Sequence, residues 1–374
     1  MAPDPPSRAP RRLAAAGVAD SCFFRSGPQA GQRKALFQIT ERCDLHCAHC
    51  FVSATSQGKD MELERLSADV MTRVRDARVA NVTLTGGEPF VHPDLLRLVT
   101  RFVENDIDVT VCTNGASASD SILQGMKELG RVKLNVSLDG LSSSSHGRFR
   151  GDSSSFDATF HNVHRFADAG LLKGILSTPN ALAAPQEYQD LYDMASALQV
   201  EYLLMNPLSA FGRGVKSRSR LRASDDVMRQ IAEDLTRPLP DVEGPEVVLI
   251  RFPNDSKPLT GCIAGDIFYV FVNGSAAVCP YLVFAANTPN SQHRPEEFIV
   301  GNLFDDWDFV DRLDNYKLAD RFTLGNNPTC SSCSMSSDCG KGCPAAVVAR
   351  GARIGDLDSE VCPVEPSRGE SSCS

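Results

Sequence analysis

Directly after its first β-rich run, the chain reads Thr40-Glu-Arg-Cys-Asp-Leu-His-Cys-Ala-His-Cys-Phe51. Cys43, Cys47 and Cys50 therefore lie on one short loop, with three and then two residues between them. Three thiolates on such a loop can hold three irons of a cubane cluster and leave the fourth iron without a protein ligand. The alternative is a zinc site, in which Cys47 and Cys50 are joined by one of the two neighbouring histidines.

Short β-rich runs alternate with helical patterns on both sides of this loop. The runs are Leu36–Thr40, Val82–Thr85, Asp108–Cys112, Val132–Leu138, Gly174–Thr178 and Tyr202–Met205. Between them, apolar residues recur at spacings of three and four, as expected of helices that bury one stripe. Strands separated by such helices predict a parallel sheet with right-handed crossovers, either a barrel or a doubly wound sheet.

The alternation stops near a stretch with proline and glycine, Arg237 to Gly244. Beyond it, the runs Ile267–Val272 and Ser275–Val278 flank Asn273-Gly274, which is a strong signal for a β-hairpin. The sequence therefore predicts four parts: a disordered tail over 1–34, an α/β unit over 35–236, a linker over 237–254 and a cysteine-rich unit over 255–374.

Composition limits the classes of partner. The 374 residues carry a formal net charge of −9, so we expect no general attraction to nucleic acid. The sequence has no apolar run of about 18 residues, which predicts no membrane span. The first 30 residues lack the apolar core of an export signal, so we expect a cytoplasmic protein. In that reducing compartment, many of its 13 cysteines are expected to bind metal.

The spacing of Cys43, Cys47 and Cys50 resembles the signature of the radical S-adenosylmethionine (radical SAM) superfamily, whose fold is a partial (β/α)6 TIM-like barrel. The stretch Gly86-Gly87-Glu88-Pro89 follows the second run and resembles the family's GGEP motif. In the family, the backbone and carboxylate of this motif contact the amino group of SAM. Glycine lets backbone approach a ligand closely, and a carboxylate complements an ammonium group. An ordinary loop is the alternative.

Three further residues match SAM-binding positions of the family. Ser137 and Asp139 correspond to residues that bind the ribose hydroxyls, and Arg150 resembles the arginine that pairs with the SAM carboxylate. The alternative for all three is a role in a turn or on the surface. His49 departs from the family pattern, because an aromatic residue that packs toward adenine usually precedes the third cysteine. Its imidazole ring can still stack.

The downstream cysteines resemble the SPASM domain, a C-terminal extension that carries two auxiliary iron–sulfur clusters. By this resemblance, Cys262, Cys279 and Cys343 hold the first auxiliary cluster. The second is held by the remaining four motif cysteines, Cys330, Cys333, Cys339 and Cys362. A pair of structural zinc sites is the alternative. We therefore expect the fold to be a partial barrel followed by a small cysteine-rich α+β domain with a β-hairpin.

The first auxiliary cluster lacks a fourth motif cysteine. Either one of its irons is open, or a spare cysteine completes it. The spare cysteines are Cys22, Cys112 and Cys373. Cys112 is expected to be a small core residue, because an isolated cysteine in a strand usually packs.

What the resemblance implies is an enzyme that reductively cleaves SAM to a 5′-deoxyadenosyl radical and removes a substrate hydrogen. It needs SAM, a catalytic [4Fe-4S] cluster, two auxiliary clusters and an electron donor such as a flavodoxin or ferredoxin. The first expectation for the substrate is a ribosomal peptide. Oxidation or epimerisation of a sugar or aminocyclitol comes second, and a non-catalytic zinc or electron-transfer protein is a remote alternative.

Many relatives that modify peptides carry an N-terminal domain for peptide recognition. Only 42 residues precede Cys43, which is too few for a stable extra domain. This weakens the peptide expectation without removing it, because a separate protein can supply peptide recognition.

Overall fold

A computed structural model describes residues 17–23, 31–237 and 244–364. Seven parallel strands follow one another in one sheet, in the order of the chain. They are β1 (Arg33–Thr40), β2 (Val79–Gly86), β3 (Asp108–Thr113), β4 (Val132–Ser137), β5 (Leu172–Ser177), β6 (Tyr202–Met205) and β7 (Glu246–Leu249). From β1 to β7 the strand order does not reverse. A doubly wound sheet, in contrast, has a switch point at which the order reverses. All six predicted β runs are therefore strands of a barrel-like sheet.

Helices cover these strands. They are α1 (Ala68–Asp76), α2 (Leu95–Val103), α3 (Asp120–Leu129), α4 (Arg148–Arg150), α5 (Ser155–Asp168), α6 (Pro185–Ala197), α7 (Gly214–Leu221) and α8 (Asp225–Thr236). The predicted stripes are buried: on α2, they are Leu95, Leu98, Val99 and Phe102. The side chain of Ser67 accepts a hydrogen bond from Val70 N and so caps the first turn of α1.

The second part of the chain extends the same sheet. The hairpin predicted around Asn273-Gly274 is present: β8 (Ile267–Val270) and β9 (Ser275–Ala277) pair antiparallel. β8 also pairs in parallel with β1, and β10 (Ile299–Asn302) pairs antiparallel with β9. Five short helices complete this part: α9 (Pro280–Ala286), α10 (Phe309–Asn315), α11 (Leu318–Arg321), α12 (Pro328–Ser332) and α13 (Pro344–Ala349). β7 and β10 are the edges of the sheet, which fits a partial barrel.

Two segments differ from the predicted division of the chain. The linker predicted over 237–254 contains β7, which pairs with β6. In the predicted tail, β1 already begins at Arg33, and residues 17–23 pair with the chain near Leu259. Other residues of that tail, 1–16 and 24–30, lie outside the described part of the chain. The division into a barrel unit and a cysteine-rich unit stays a prediction.

Among the described residues, no helix combines the length and the apolar character that crossing a bilayer requires.

Candidate iron–sulfur and SAM site

The loop with Cys43, Cys47 and Cys50 begins at the carboxyl end of β1, and backbone contacts hold it. Cys43 N donates to Thr55 O at 2.7 Å. From the other side of the barrel, Arg213 Nε donates to Cys47 O at 2.7 Å. These bonds fix the loop through its main chain, so the three thiols remain available as ligands.

The three thiols of this loop are close to one another. Burial raises the pKa of Cys43 to about 12, and the neighbouring Cys47 acts in the same direction. Burial also raises the pKa of Cys47, and Cys50 adds to that effect. A thiol with the raised pKa of Cys43 stays protonated at neutral pH unless a metal ion displaces the proton. The arrangement therefore suits a metal centre better than a free thiolate nucleophile.

The glycines of Gly86-Gly87-Glu88-Pro89 lie against the chain that leads into the cysteine loop. A Cβ at Gly86 would lie 2.2 Å from Thr40 O, and a Cβ at Gly87 would lie 2.0 Å from Arg42 O. Any other residue would therefore clash with backbone. Gly87 N donates to Thr40 O at 2.8 Å, which ties the two loops together.

The Glu88 carboxylate is fully buried and receives three hydrogen bonds. Oε1 accepts from Phe90 N at 3.0 Å and from Thr113 Oγ1 at 2.7 Å, and Oε2 accepts from Asn114 N at 2.7 Å. A carboxylate offers about four lone-pair sites, so one site remains for a further donor. Burial raises the pKa of Glu88 to about 7.

Asn114 links Glu88 to the cysteine loop and was missed by the sequence analysis. Its side-chain Nδ2 donates to Asp44 Oδ1 at 2.7 Å and lies 4.0 Å from Cys43 Sγ. A polar residue directly after a parallel strand was the available signal, because ligands bind at that end of such sheets.

Asp139 and Arg150 form a buried ion pair with an Nε–Oδ2 distance of 2.6 Å. Arg150 NH1 also lies 3.9 Å from Cys47 Sγ, so the predicted carboxylate-binding arginine is next to the cysteine loop. Burial alone would raise the pKa of Asp139, but Arg150, through its charge and its hydrogen bond, is foremost among the groups that together hold that pKa below its usual value. Ser137 is the last residue of β4 and is partly buried.

The His49 ring stacks on Phe149, with ring centroids 4.3 Å apart and planes 9° apart. Burial and the nearby Arg150 charge lower the pKa of His49 to about 3, so the ring is neutral. Phe149 was not among the predicted site residues. The contact of His49 with adenine stays a prediction.

Cys262, Cys279 and Cys343, called the first auxiliary group below, line one cavity. Cys279 and Cys343 immediately precede α9 and α13. Burial raises the pKa of Cys262 to about 12, and Cys343 acts in the same direction. Cys22 lines the same cavity, although the sequence left it without a role.

The other four motif cysteines form the second auxiliary group. Burial raises the pKa of Cys362, and the neighbouring Cys330, Cys339 and Cys333 all add to that effect. Asn327 orients the first of them, because its Oδ1 accepts from Cys330 N at 2.9 Å. The fold thus brings Cys362 close to three cysteines that precede it by more than 20 positions in the chain.

These thiol groups fit iron–sulfur clusters. In the described part of the chain, all twelve cysteines are free thiols. Within those same ranges, no three Cys, His, Asp or Glu side chains are placed to hold a single metal ion. A cubane cluster takes one thiolate per iron, so it fits thiols spaced around a cavity such as that of the first auxiliary group.

The two remaining spare cysteines give different results. Cys112 lies in β3 and is partly buried, and Asn135 Nδ2 is 3.9 Å from its sulfur; its packing role stays a prediction. Cys373 lies outside the described residues.

Residues 37–195 match the family model described as the radical SAM superfamily. The chain contains a radical SAM domain. This confirms the family predicted from the cysteine loop and the GGEP-like motif. The match covers the segment that carries both, from β1 to α6.

Curated relatives and a solved structure extend the comparison. The subtilosin biosynthesis protein AlbA of Bacillus subtilis is 24% identical over 82% of this chain, which spans 64% of AlbA's length. The mycofactocin maturase MftC of Mycobacterium tuberculosis is also 24% identical, over 87% of this chain and 81% of MftC. Streptococcus suis SuiB, crystallised with its precursor peptide SuiA, superposes with a TM-score of 0.69 at 18% identity, over 87% of this chain and 75% of SuiB. This likeness confirms the predicted fold.

Proposed function

We propose that this enzyme matures a ribosomal peptide by radical SAM chemistry, with its catalytic cluster on Cys43, Cys47 and Cys50. The observation that carries the proposal is the convergence of this three-thiol loop with buried Glu88 and Arg150. When bound, the cluster and SAM supply reductive cleavage to a carbon radical that can remove a hydrogen atom.

The chain's own residues bind and orient SAM in this proposal. The remaining lone pair of Glu88 accepts from the SAM ammonium group, next to Gly86, Gly87 and Pro89. Arg150 pairs with the SAM carboxylate, and Ser137 hydrogen-bonds to the ribose. The distance from Arg150 to Cys47 supports this placement, since SAM must lie beside the open iron.

Asp139 receives a modified role. Oδ2 already accepts from Arg150, and Oδ1 accepts from Thr178 N at 2.8 Å. We therefore assign it first to positioning Arg150, since an arginine held by a buried carboxylate has one fixed orientation. A ribose hydroxyl can still reach a lone pair that these two bonds leave unused.

Two auxiliary clusters complete the proposal, one on each auxiliary group of cysteines. The groups contain only sulfur ligands, which iron–sulfur clusters prefer. When bound, these clusters would conduct through the protein the electron that the substrate radical loses. A flavodoxin or ferredoxin is the proposed donor for the catalytic cluster.

The peptide substrate is proposed from the relatives. AlbA is a protein of bacteriocin biosynthesis, MftC is a mycofactocin maturase, and SuiB has been crystallised with a precursor peptide. A separate peptide-recognition protein is proposed as a partner.

Anaerobic reconstitution with iron and sulfide tests the function. We expect a brown protein that forms 5′-deoxyadenosine from SAM in the presence of dithionite, measured by liquid chromatography. Addition of a short peptide encoded beside this gene should change the peptide's mass. Bound zinc without sulfide would contradict the iron–sulfur assignment. SAM cleavage coupled to a sugar, with every such peptide unchanged, would contradict the peptide assignment alone.

Replacing Glu88 by glutamine is expected to weaken SAM binding by about 10-fold to 100-fold, since a hydrogen bond to a charged group contributes about 1.5–3 kcal/mol. Binding is measured by isothermal titration at constant cluster content. Glu128→Gln is the matched control, because Glu128 is exposed on α3. An equal affinity of the Glu88→Gln and Glu128→Gln proteins would contradict the role of Glu88.

The pH dependence gives a second readout for Glu88. Because its pKa lies at about 7, the carboxylate becomes ionised as pH rises through neutrality. Only the ionised form attracts an ammonium group, so SAM affinity should rise between about pH 6 and pH 8. The Glu88→Gln protein should lack this rise.

A further inference from the structure

The N-terminal segment 17–23 is bound to the chain that carries Cys262. Ala19 N donates to Pro258 O at 2.8 Å, and Thr260 N donates to Ala19 O at 3.0 Å. The Ser21 hydroxyl donates to Thr260 O at 2.8 Å. These three bonds fix the backbone on the N-terminal side of Cys22.

Two buried groups add to this anchoring, one on each side of Cys22. The Phe23 ring packs on Phe211 and Tyr281, with centroids 5.3 Å and 4.7 Å away. The fully buried Arg251 donates through NH1 to Ser21 O at 3.1 Å. Cys22 is therefore fixed between two anchored neighbours, which limits where its side chain can point.

The Cys22 side chain points into the cavity of the first auxiliary group. It lines that cavity together with Cys262, Cys279 and Cys343. It also hydrogen-bonds with the side chain of Cys343. Four thiols from four separate segments thus surround one cavity.

We propose that Cys22 is the fourth protein ligand of the first auxiliary cluster. This inference rests on the proposed function, which places a cluster on Cys262, Cys279 and Cys343. A cubane cluster has four irons, and the cavity offers four thiols, so each iron receives one thiolate. The chain's N-terminal segment thereby completes a metal site whose other ligands follow it by more than 200 residues.

Complete ligation defines what this cluster can do. With a thiolate on every iron, no iron remains for a substrate atom. The cluster then exchanges electrons and does not bind the substrate directly. The segment 17–23 also becomes part of the folded enzyme, since its ligand belongs to the metal site.

The test starts from Cys43→Ala/Cys47→Ala/Cys50→Ala protein, called the auxiliary-only variant. It removes the catalytic cluster, which has an open iron of its own. Potassium cyanide serves as the probe, because it binds an open cluster iron and changes the electron paramagnetic resonance (EPR) spectrum of the reduced cluster. We expect no change in the auxiliary-only variant and a new signal once Cys22→Ala is added. Adding Cys112→Ala instead is the matched control and should change nothing.

The outcomes separate this inference from the proposed function. A response to cyanide while Cys22 is present would overturn the inference and leave the clusters in place. The inference would also be overturned if adding Cys22→Ala gave no response to cyanide while the protein still contained the iron and sulfide of two clusters. An auxiliary-only variant without iron and sulfide would overturn the auxiliary clusters themselves, and the inference with them.

Alkylation of the native enzyme tests the ligand without any substitution. With clusters bound, Cys22 should resist iodoacetamide as strongly as Cys262 does. Removal of iron by a chelator and ferricyanide should expose both cysteines together, as peptide mass spectrometry can show. Rapid labelling of Cys22 in the loaded enzyme, with Cys262 protected, would overturn the assignment.

Discussion

Alanine in place of Cys43, Cys47 and Cys50 together is expected to reduce SAM cleavage below detection and to leave the auxiliary clusters bound. The three side chains are the only thiols of the proposed catalytic site, so the variant cannot hold the cluster that delivers the electron. Iron content should fall by about four atoms per chain, the content of one cubane cluster. The measurements are 5′-deoxyadenosine formation with dithionite and iron and sulfide analysis.

The loop should keep its shape in this variant, because its shortest contacts with the rest of the fold are made by its main chain. Ala48 N donates to Phe149 O at 3.1 Å, and Ser217 Oγ donates to Ala48 O at 2.6 Å. Gly151 lies against the same loop, where a Cβ would be 2.5 Å from His46 O. None of these contacts needs a cysteine sulfur.

Cys112→Ala is the control for loss of a thiol outside the proposed clusters. It should retain SAM cleavage and full iron content, with at most a modest loss of stability from the smaller side chain. Undiminished cleavage by the triple variant would contradict the catalytic assignment. Equal loss of iron in the triple variant and in Cys112→Ala would show that the assay reports folding alone.

The fold was predictable where the chain repeats a simple period. The first six strands are separated by helices with clear apolar stripes, and all six predictions are confirmed. β7 was missed, because its four residues follow a stretch rich in proline and glycine and no helical pattern comes after it. Its pairing with β6 comes from tertiary structure, which local periodicity does not report.

The site was predictable only where residues are close in sequence. The spacing of Cys43, Cys47 and Cys50 carries its own chemistry. Two of the three donors to Glu88 come from the end of β3, 25 and 26 residues later, and their placement depends on strand order. Cys22 has no motif spacing at all, so only the folded chain places it beside Cys343.

Replacement of Arg251 is the second change for which we expect a large effect, here on stability. Arg251 lies in the predicted linker and was not predicted to have a role. Its guanidinium group is buried and donates to both carboxylate oxygens of Asp358, at 2.7 Å and 2.8 Å. It also donates to Glu360 Oε2 at 2.8 Å. Burial alone would raise the pKa of Glu360, but Arg251 and Arg218 outweigh it and hold that pKa at about 2.

Replacing Arg251 by methionine is expected to destabilise the enzyme by about 3–5 kcal/mol, since Asp358 is left as a buried charge without a counter-charge. Denaturation of the anaerobic holoenzyme, followed by circular dichroism, measures this loss. Arg229→Met is the matched control, because Arg229 and Asp255 form an exposed ion pair. Such a pair contributes about 0–1 kcal/mol.

Acid should reduce the difference in the free energy of unfolding between the Arg251→Met protein and the wild type. A carboxylate with a lowered pKa stabilises the folded state above its unfolded pKa, and this contribution disappears as pH falls through the folded value. For Glu360 the window runs from the ordinary pKa of a glutamate side chain, 4.5, down to about 2. A difference that stays constant across this window would mean that packing, and not charge, makes Arg251 important.

Arg251 also connects the ion pair to the first auxiliary group. Asp358 Oδ2 accepts from Cys343 N at 2.9 Å, and Arg251 NH1 donates to Ser21 O next to Cys22. The Arg251→Met protein should therefore label at Cys22 faster than the wild type, even where the rest of the fold persists. Adding Asp358→Asn should recover part of the stability, because it removes the unpaired charge, but it should not restore protection of Cys22. An Arg251→Met protein as stable as Arg229→Met, with Cys22 still protected, would show that the ion pair neither stabilises the fold nor holds the N-terminal segment.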